Sequence, residues 1–204
     1  HGIERDDALV AARAAQSHIG LATSLALNAE ARARRDRVLE IASRVRGVGD
    51  AVIAAGELVE VATAQASASM AERDAVEKAA LLRSLGADNA EGGKTLPANV
   101  RTQIRQLEED QKRRGKRAVV DGLDRAMTDL LSFYRDVLAV QVGSDVDLVN
   151  AAQVADVRAV AAASDPQQTL RRTEAIATAR TRLAGNVAPL LAVEAMTVAL
   201  RPQG

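Results

Sequence analysis

Apolar residues recur at three- and four-residue spacing along the chain, and this period predicts a run of helices. Residues 1–27 read as two short helices. Asp6 or Asp7 caps the first, and Ser17-His18-Ile19-Gly20 breaks it before an apolar run from Leu21 to Leu27. Asn28 caps a third helix that reaches Ile41 and is amphipathic at Val38, Leu39 and Ile41. Arg44-Val45-Arg46-Gly47-Val48-Gly49 then reads as a hinge. From Asp50 to Leu85 nothing ends a helix, and one of about 35 residues spans about 50 Å. Residues 86–95 form a turn or flexible loop, and Pro97 opens a return helix in whose first turn its missing N–H is no loss.

The return helix has Val100, Ile104 and Leu107 on its apolar stripe, then none until Ala118, after which Val119, Leu123, Met127, Leu130 and Leu131 resume it. The intervening window, Glu108 to Arg117, has no core face, so it is solvated or bound by something else. With the weakly apolar outer half of the preceding helix, this predicts an antiparallel hairpin over about residues 48–142, anchored at one end, which Gly115 and Gly122 bend. Three shorter helices follow. Asn150 with Gln153 is a capping-box pair for a helix to Ala163, and Asp165-Pro166-Gln167-Gln168 is a clearer start. Gly185 ends that helix and Asn186 caps the last, where Val187, Leu190, Leu191, Val193, Met196, Val198 and Leu200 leave little polar surface. Such a helix is buried, and on a small domain its extra face meets a partner subunit.

Composition agrees with an all-α helical bundle. Of 204 residues, 48% are hydrophobic, with one Phe, one Tyr and no Trp. Ala makes up about a fifth, well above ordinary usage. Zero Cys removes disulfides, thiolate metal sites and cysteine nucleophiles, and only His1 and His18 offer imidazole. Neither a membrane span nor a targeting segment is present, which predicts a soluble, cytoplasmic protein without membrane contact. The start in mid-pattern without Met predicts a piece of a longer chain. Net charge is zero, which argues against a module held mainly by phosphates, and the scarcity of aromatics leaves no base-stacking platform. Arginine greatly outnumbers lysine; GC-rich coding and an arginine-rich interface both account for that.

Few residues carry candidate chemistry. Lys112, Arg113, Arg114, Lys116 and Arg117 form the basic cluster of note, a contact for a partner or DNA, or else a solvated face offset by Glu108, Glu109 and Asp110. Gly92-Gly93-Lys94-Thr95 ends like a phosphate-binding loop, but Asp88 stands where that loop needs its first Gly and no strand precedes it. His18 has no carboxylate or second His near it in sequence, so a structural or capping role outweighs catalysis. Asp121 and Asp124 share a helix face, yet Arg117 and Arg125 can neutralise them.

Three segments resemble a known family: Leu130-Leu131-Ser132-Phe133-Tyr134-Arg135-Asp136-Val137-Leu138, then Gln141-Val142-Gly143 with Leu148-Val149-Asn150, and Asn186-Val187-Ala188-Pro189-Leu190-Leu191-Ala192-Val193-Glu194. Together they resemble the C-terminal region of the delta-prime subunit of the bacterial DNA polymerase III clamp loader. Residues 11–20, 45–49 and Gln111-Lys112-Arg113-Arg114 are similar to its actinobacterial branch.

The resemblance implies that residues 1–27 are the end of an AAA+ lid and residues 28–204 a helical collar through which five subunits form a ring. It implies gamma/tau and delta subunits as partners, indirect association with DNA during replication, no cofactor or metal, and no catalysis by this part of a DNA-directed DNA polymerase holoenzyme. Related lids place a nucleotide-sensing arginine where Thr23 stands, which agrees with a subunit that does not hydrolyse ATP. The interface residues implied are Phe133, Tyr134, Leu190 and Leu191 as anchors, Glu194 to fix orientation, and Asn186. Two other readings stay open: an unrelated helical-bundle or coiled-coil interaction protein that works through its hairpin, and a nucleotide-binding domain or enzyme, for which the chain offers no site.

Overall fold

The computed structural model describes residues 3–15, 18–87 and 96–202, the side chains of Asp6 and Asp7 excepted. Those residues form helices and connecting turns with no strand among them, an all-α fold as the periodicity predicts. The elements are α1 (Arg5–Ala14), α2 (Ile19–Leu27), α3 (Ala29–Arg44), α4 (Val48–Ser84), α5 (Ala98–Gln141), a 3-10 turn (Ala151–Gln153), α6 (Val154–Ala162), α7 (Pro166–Ala184) and α8 (Pro189–Leu200). No described helix is long and apolar enough to cross a membrane.

Local chemistry accounts for most helix ends. His18 Nδ1 accepts from Leu21 N at 3.1 Å, making the imidazole the N-cap of α2. Asn28 Oδ1 accepts from Glu30 N and Ala31 N at the start of α3, while Arg32 donates to the carbonyls of Leu25 and Ala26 at the end of α2. Asp165 Oδ1 accepts from Gln168 N at 2.7 Å with Pro166 at the first helical position. α1 begins at Arg5 with Glu4 as its N-cap, so Asp6 and Asp7 fall inside its first turn, and their side chains lie outside the described residues.

Three expectations are corrected. The stretch read as a hinge is shorter than expected, because Asp50, in the first turn of α4, accepts from the backbone N–H groups of Arg46 and Gly47 and draws Val48 and Gly49 into the helix. Asn150 and Gln153 do not form a capping box. Asn150 makes no cap hydrogen bond, and Gln153 Nε2 reaches Asp36 Oδ1 at 2.9 Å. Asn186 does not cap α8, whose N-cap is Ala188. It instead ends α7 in the left-handed conformation at φ 61°, with Val187 N bonded to Arg182 O and Asn186 N to Leu183 O.

The chain divides into two compact units, and the division falls within the two long helices. The first comprises His1–Val59 and Leu123–Gly204. Its core holds Leu39 of α3, Leu123, Met127, Leu130, Phe133, Tyr134 and Val137 of α5, Val157 of α6, Ile176 of α7, and Val193, Met196 and Leu200 of α8, all essentially without solvent exposure. Ala11, Ala14 and Leu25 join α1 to α2 in a small cluster of the same unit.

The second unit, Glu60–Gly122, holds the outer halves of α4 and α5 as an antiparallel pair. Its register is plain from four contacts. A Cβ on Gly122 would stand 3.4 Å from Ala62 Cβ, Asp74 meets Gln111 and Arg114, and Lys78 Nζ meets Glu108 Oε1 at 2.7 Å. The seam is apolar at Ala62, Ala66, Val100, Ile104 and Leu107 and polar in its middle. α5 runs without interruption through Gly115 and Gly122.

Candidate functional site

Phe133 and Tyr134, expected at a subunit interface, are both fully buried in the first unit. Their rings meet edge to face with centroids 5.7 Å apart, so they serve its core rather than its surface. The Arg172 guanidinium lies 5.7 Å from the Tyr134 ring centroid. Burial pushes the Tyr134 phenol up to about 12, against a smaller opposing effect of the Arg172 charge. The Tyr134 hydroxyl and Arg172 Nε are buried without a hydrogen-bond partner among the described residues. Other interface residues are differently placed. Leu190 and Leu191 in the first turn of α8 are 45% and 61% exposed, Asn186 is exposed, and Glu194 is half-buried. The terminal helix is therefore apolar over most of its surface but buried on the side of Ala192, Val193, Met196, Thr197 and Leu200, with Leu190 and Leu191 left exposed.

The first unit also holds a buried polar network that the apolar pattern did not reveal. Asp129, Ser132 and Asp136 share one face of α5 at three- and four-residue spacing. Arg35 of α3, 9% exposed, donates from Nε to Asp129 Oδ1 at 3.0 Å and from Nη2 to Asn150 Oδ1. Asn150 Nδ2 donates to Asp136 Oδ2 at 2.8 Å and to Ser132 Oγ at 3.2 Å. Asp136, with no exposure, also accepts from the backbone N–H groups of Val149 and Asn150 and from Arg135. Burial raises the Asp129 pKa above the usual aspartate value, outweighing the nearby Arg35 charge. The available signal was three polar residues at core spacing within the most apolar stretch of α5; their partners come from α3 and the turn before α6.

A cleft of about 260 Å³ opens in the same unit between an apolar wall, including Val10, Ala14 and Leu25, and a polar one, including Arg35, Asp36 and Gln153. Arg35 is engaged by Asp129 and Asn150, and Gln153 by Asp36, so the polar wall holds itself together. No group of three or more His, Cys, Asp or Glu side chains among the described residues could hold a metal ion. The Gly92-Gly93-Lys94-Thr95 segment lies outside the described residues.

In the second unit the basic window separates into roles. Arg114 turns into the seam, where it pairs with Asp74 Oδ1 at 3.1 Å and with Glu77, and Gln111 Nε2 donates to the Asp74 carbonyl at 3.0 Å. The Arg114 guanidinium, with Arg73 in support, holds Glu77 below the usual carboxylate range. Arg114 is thus a cross-helix tie and is not available as a partner contact in this arrangement. Arg113 pairs with Asp110 on its own helix. Lys112, Lys116 and Arg117 are exposed and enter no ion pair among the described residues.

The fold and these surfaces define an α-helical protein with an exposed leucine pair on its terminal helix and a charge-patterned helical hairpin. No family model, curated protein or solved structure matches the chain.

Proposed function

We propose that this chain is a non-catalytic assembly module: the lid end and collar of a clamp-loader delta-prime subunit, which joins the gamma/tau and delta subunits in the ring that loads the sliding clamp during DNA replication. The observation that carries the reading is the side-by-side exposure of Leu190 and Leu191 on α8, within the segment from Asn186 to Glu194 that resembles clamp-loader collars. Two adjacent exposed leucines on a helix otherwise anchored by buried Val193, Met196 and Leu200 form a rigid apolar platform. Such a platform favours association by desolvation, with little conformational change on binding. Tyr134 contacts Arg172 of α7, and α7 packs against α8.

The test is size-exclusion chromatography of the chain with purified delta and gamma/tau subunits. Co-elution is expected, together with its loss in a variant carrying Leu190→Ser and Leu191→Ser that keeps its helix content. Absence of co-elution by the unaltered chain overturns the proposal.

A further inference from the structure

The zero net charge of the chain conceals a local segregation of charge in the second unit. Four cations there are occupied by carboxylates: Arg114 by Asp74 and Glu77, Arg73 by Glu77, Arg113 by Asp110, and Lys78 by Glu108. Of the described cations left over, Arg101, Arg105, Lys112 and Lys116 are exposed and, like Arg83 and Arg117, enter no ion pair among the described residues. At 100° per residue these four fall within a sector of about 60° on α5, off the seam with α4. Two carboxylates stand near the sector. Glu108 is neutralised by Lys78, and Glu109 lies at the border, leaving a stripe with a clear positive excess. Arg113 and Arg117 project from the opposite flank, as their helical positions require.

We propose that this stripe binds the phosphate backbone of duplex DNA. From Arg101 to Lys116 the stripe extends about 22 Å, and its two pairs, Arg101 with Arg105 and Lys112 with Lys116, begin about 16 Å apart at 1.5 Å per residue. The major groove of B-form DNA is about 12 Å wide. A helix laid across it therefore sets one cation pair at each bordering strand. Single strands are disfavoured as the ligand because they are held by stacking on aromatic rings, and the only Phe and Tyr of the chain are buried in the other unit. Duplex RNA has a narrow, deep major groove that this spacing does not fit. The contact carries no information about base sequence, since it consists of point charges on phosphates. It does not depend on the assembly reading and is testable on this chain alone.

The experiment is fluorescence anisotropy of a labelled mixed-sequence DNA duplex titrated with the full chain at several salt concentrations. Binding that weakens with salt, with a log–log slope of about −3.6 for four phosphates, is expected. A variant with Arg101, Arg105, Lys112 and Lys116 all changed to Gln should bind at least tenfold more weakly and lose most of that slope. The pair Arg113→Gln and Arg117→Gln should leave affinity within about twofold, since one flank supplies the contact. Circular dichroism establishes that both variants remain helical. No binding at low salt, equal affinity of the fourfold variant, or equal or tighter binding of single-stranded DNA or duplex RNA would each overturn the proposal.

Discussion

Asp136 and Asn150, 14 residues apart in sequence, are joined twice through one carboxylate oxygen, which accepts from the Asn150 backbone N–H at 2.7 Å and from its side-chain amide at 2.8 Å. This clamp fastens the turn after α5 to the helix that precedes it, and through Asn150 Oδ1 it reaches Arg35 of α3. Removing the carboxylate leaves the buried Asn150 donors and the partly buried Val149 N–H without this acceptor. Asp136→Ala should destabilise the first unit by about 3–5 kcal/mol, and Asp136→Asn by less because one acceptor oxygen is kept. Urea denaturation would show a lower midpoint with little change in slope. A midpoint equal to that of the unaltered chain would mean that the clamp contributes nothing.

Tyr134 is the only tyrosine and there is no tryptophan, so near-ultraviolet absorbance reports its ionisation alone. In the folded chain the midpoint should lie at about 12, against about 10 when unfolded. The folded value is the higher one. Its contribution to stability is therefore complete below the unfolded pKa and falls as pH rises toward the folded one, by about 2–3 kcal/mol in all. Tyr134→Phe removes a buried hydroxyl that has no partner, and should leave stability at neutral pH unchanged or slightly raised. A large destabilisation by that variant would reveal a hydrogen bond to the hydroxyl.

Asp129 gives a second pH signature of the same sign, in acid. Burial raises its pKa in the folded chain, so its contribution to stability is greatest below the ordinary aspartate value and diminishes as pH rises through the elevated one. Thermal unfolding followed across mildly acidic pH should show this decline in the unaltered chain and lack it in Asp129→Asn. Identical pH profiles would contradict the assignment.

In the hairpin, Glu77 behaves in the reverse sense. Arg114 depresses its pKa, so the stabilisation is present above the unfolded value and lost as pH falls through the folded one. Arg114→Met should lower amide-exchange protection in residues 60–122 at neutral pH, because Asp74 loses its counter-charge and Glu77 keeps only Arg73, and should leave protection in residues 123–200 unchanged. Equal protection of residues 60–122 in Arg114→Met and in the unaltered chain would show that the pair is held by its apolar seam alone.

Gly115 lies inside α5 with open space where a Cβ would stand. Gly115→Ala should therefore stabilise the helix by about 0.5–1 kcal/mol, chiefly by restricting the unfolded chain. Gly143 is different: it closes α5 at φ 66°, with Ser144 N bonded to Ala139 O. Gly143→Ala should cost about 1 kcal/mol. Chemical denaturation of both variants would order them on either side of the unaltered protein.

Helix existence, the caps at Asn28 and Asp165, and the long return helix were legible because each depends on residues within one or two turns. The roles of Phe133, Asn150 and Arg114 were not, because burial and pairing depend on what arrives from elsewhere in the chain. Phe133 has the form of an anchor for a partner, but the fold buries it completely. Asn150 had the form of a helix cap, but a buried carboxylate and a buried guanidinium gave its amide stronger partners than a backbone N–H. The basic window, uniform along the chain, was divided by α4, whose Asp74 and Glu77 captured Arg114 and left Lys112 and Lys116 outside. Short-range chemistry thus determined the helices, while long-range juxtaposition decided which polar groups are structural and which remain free to meet a partner.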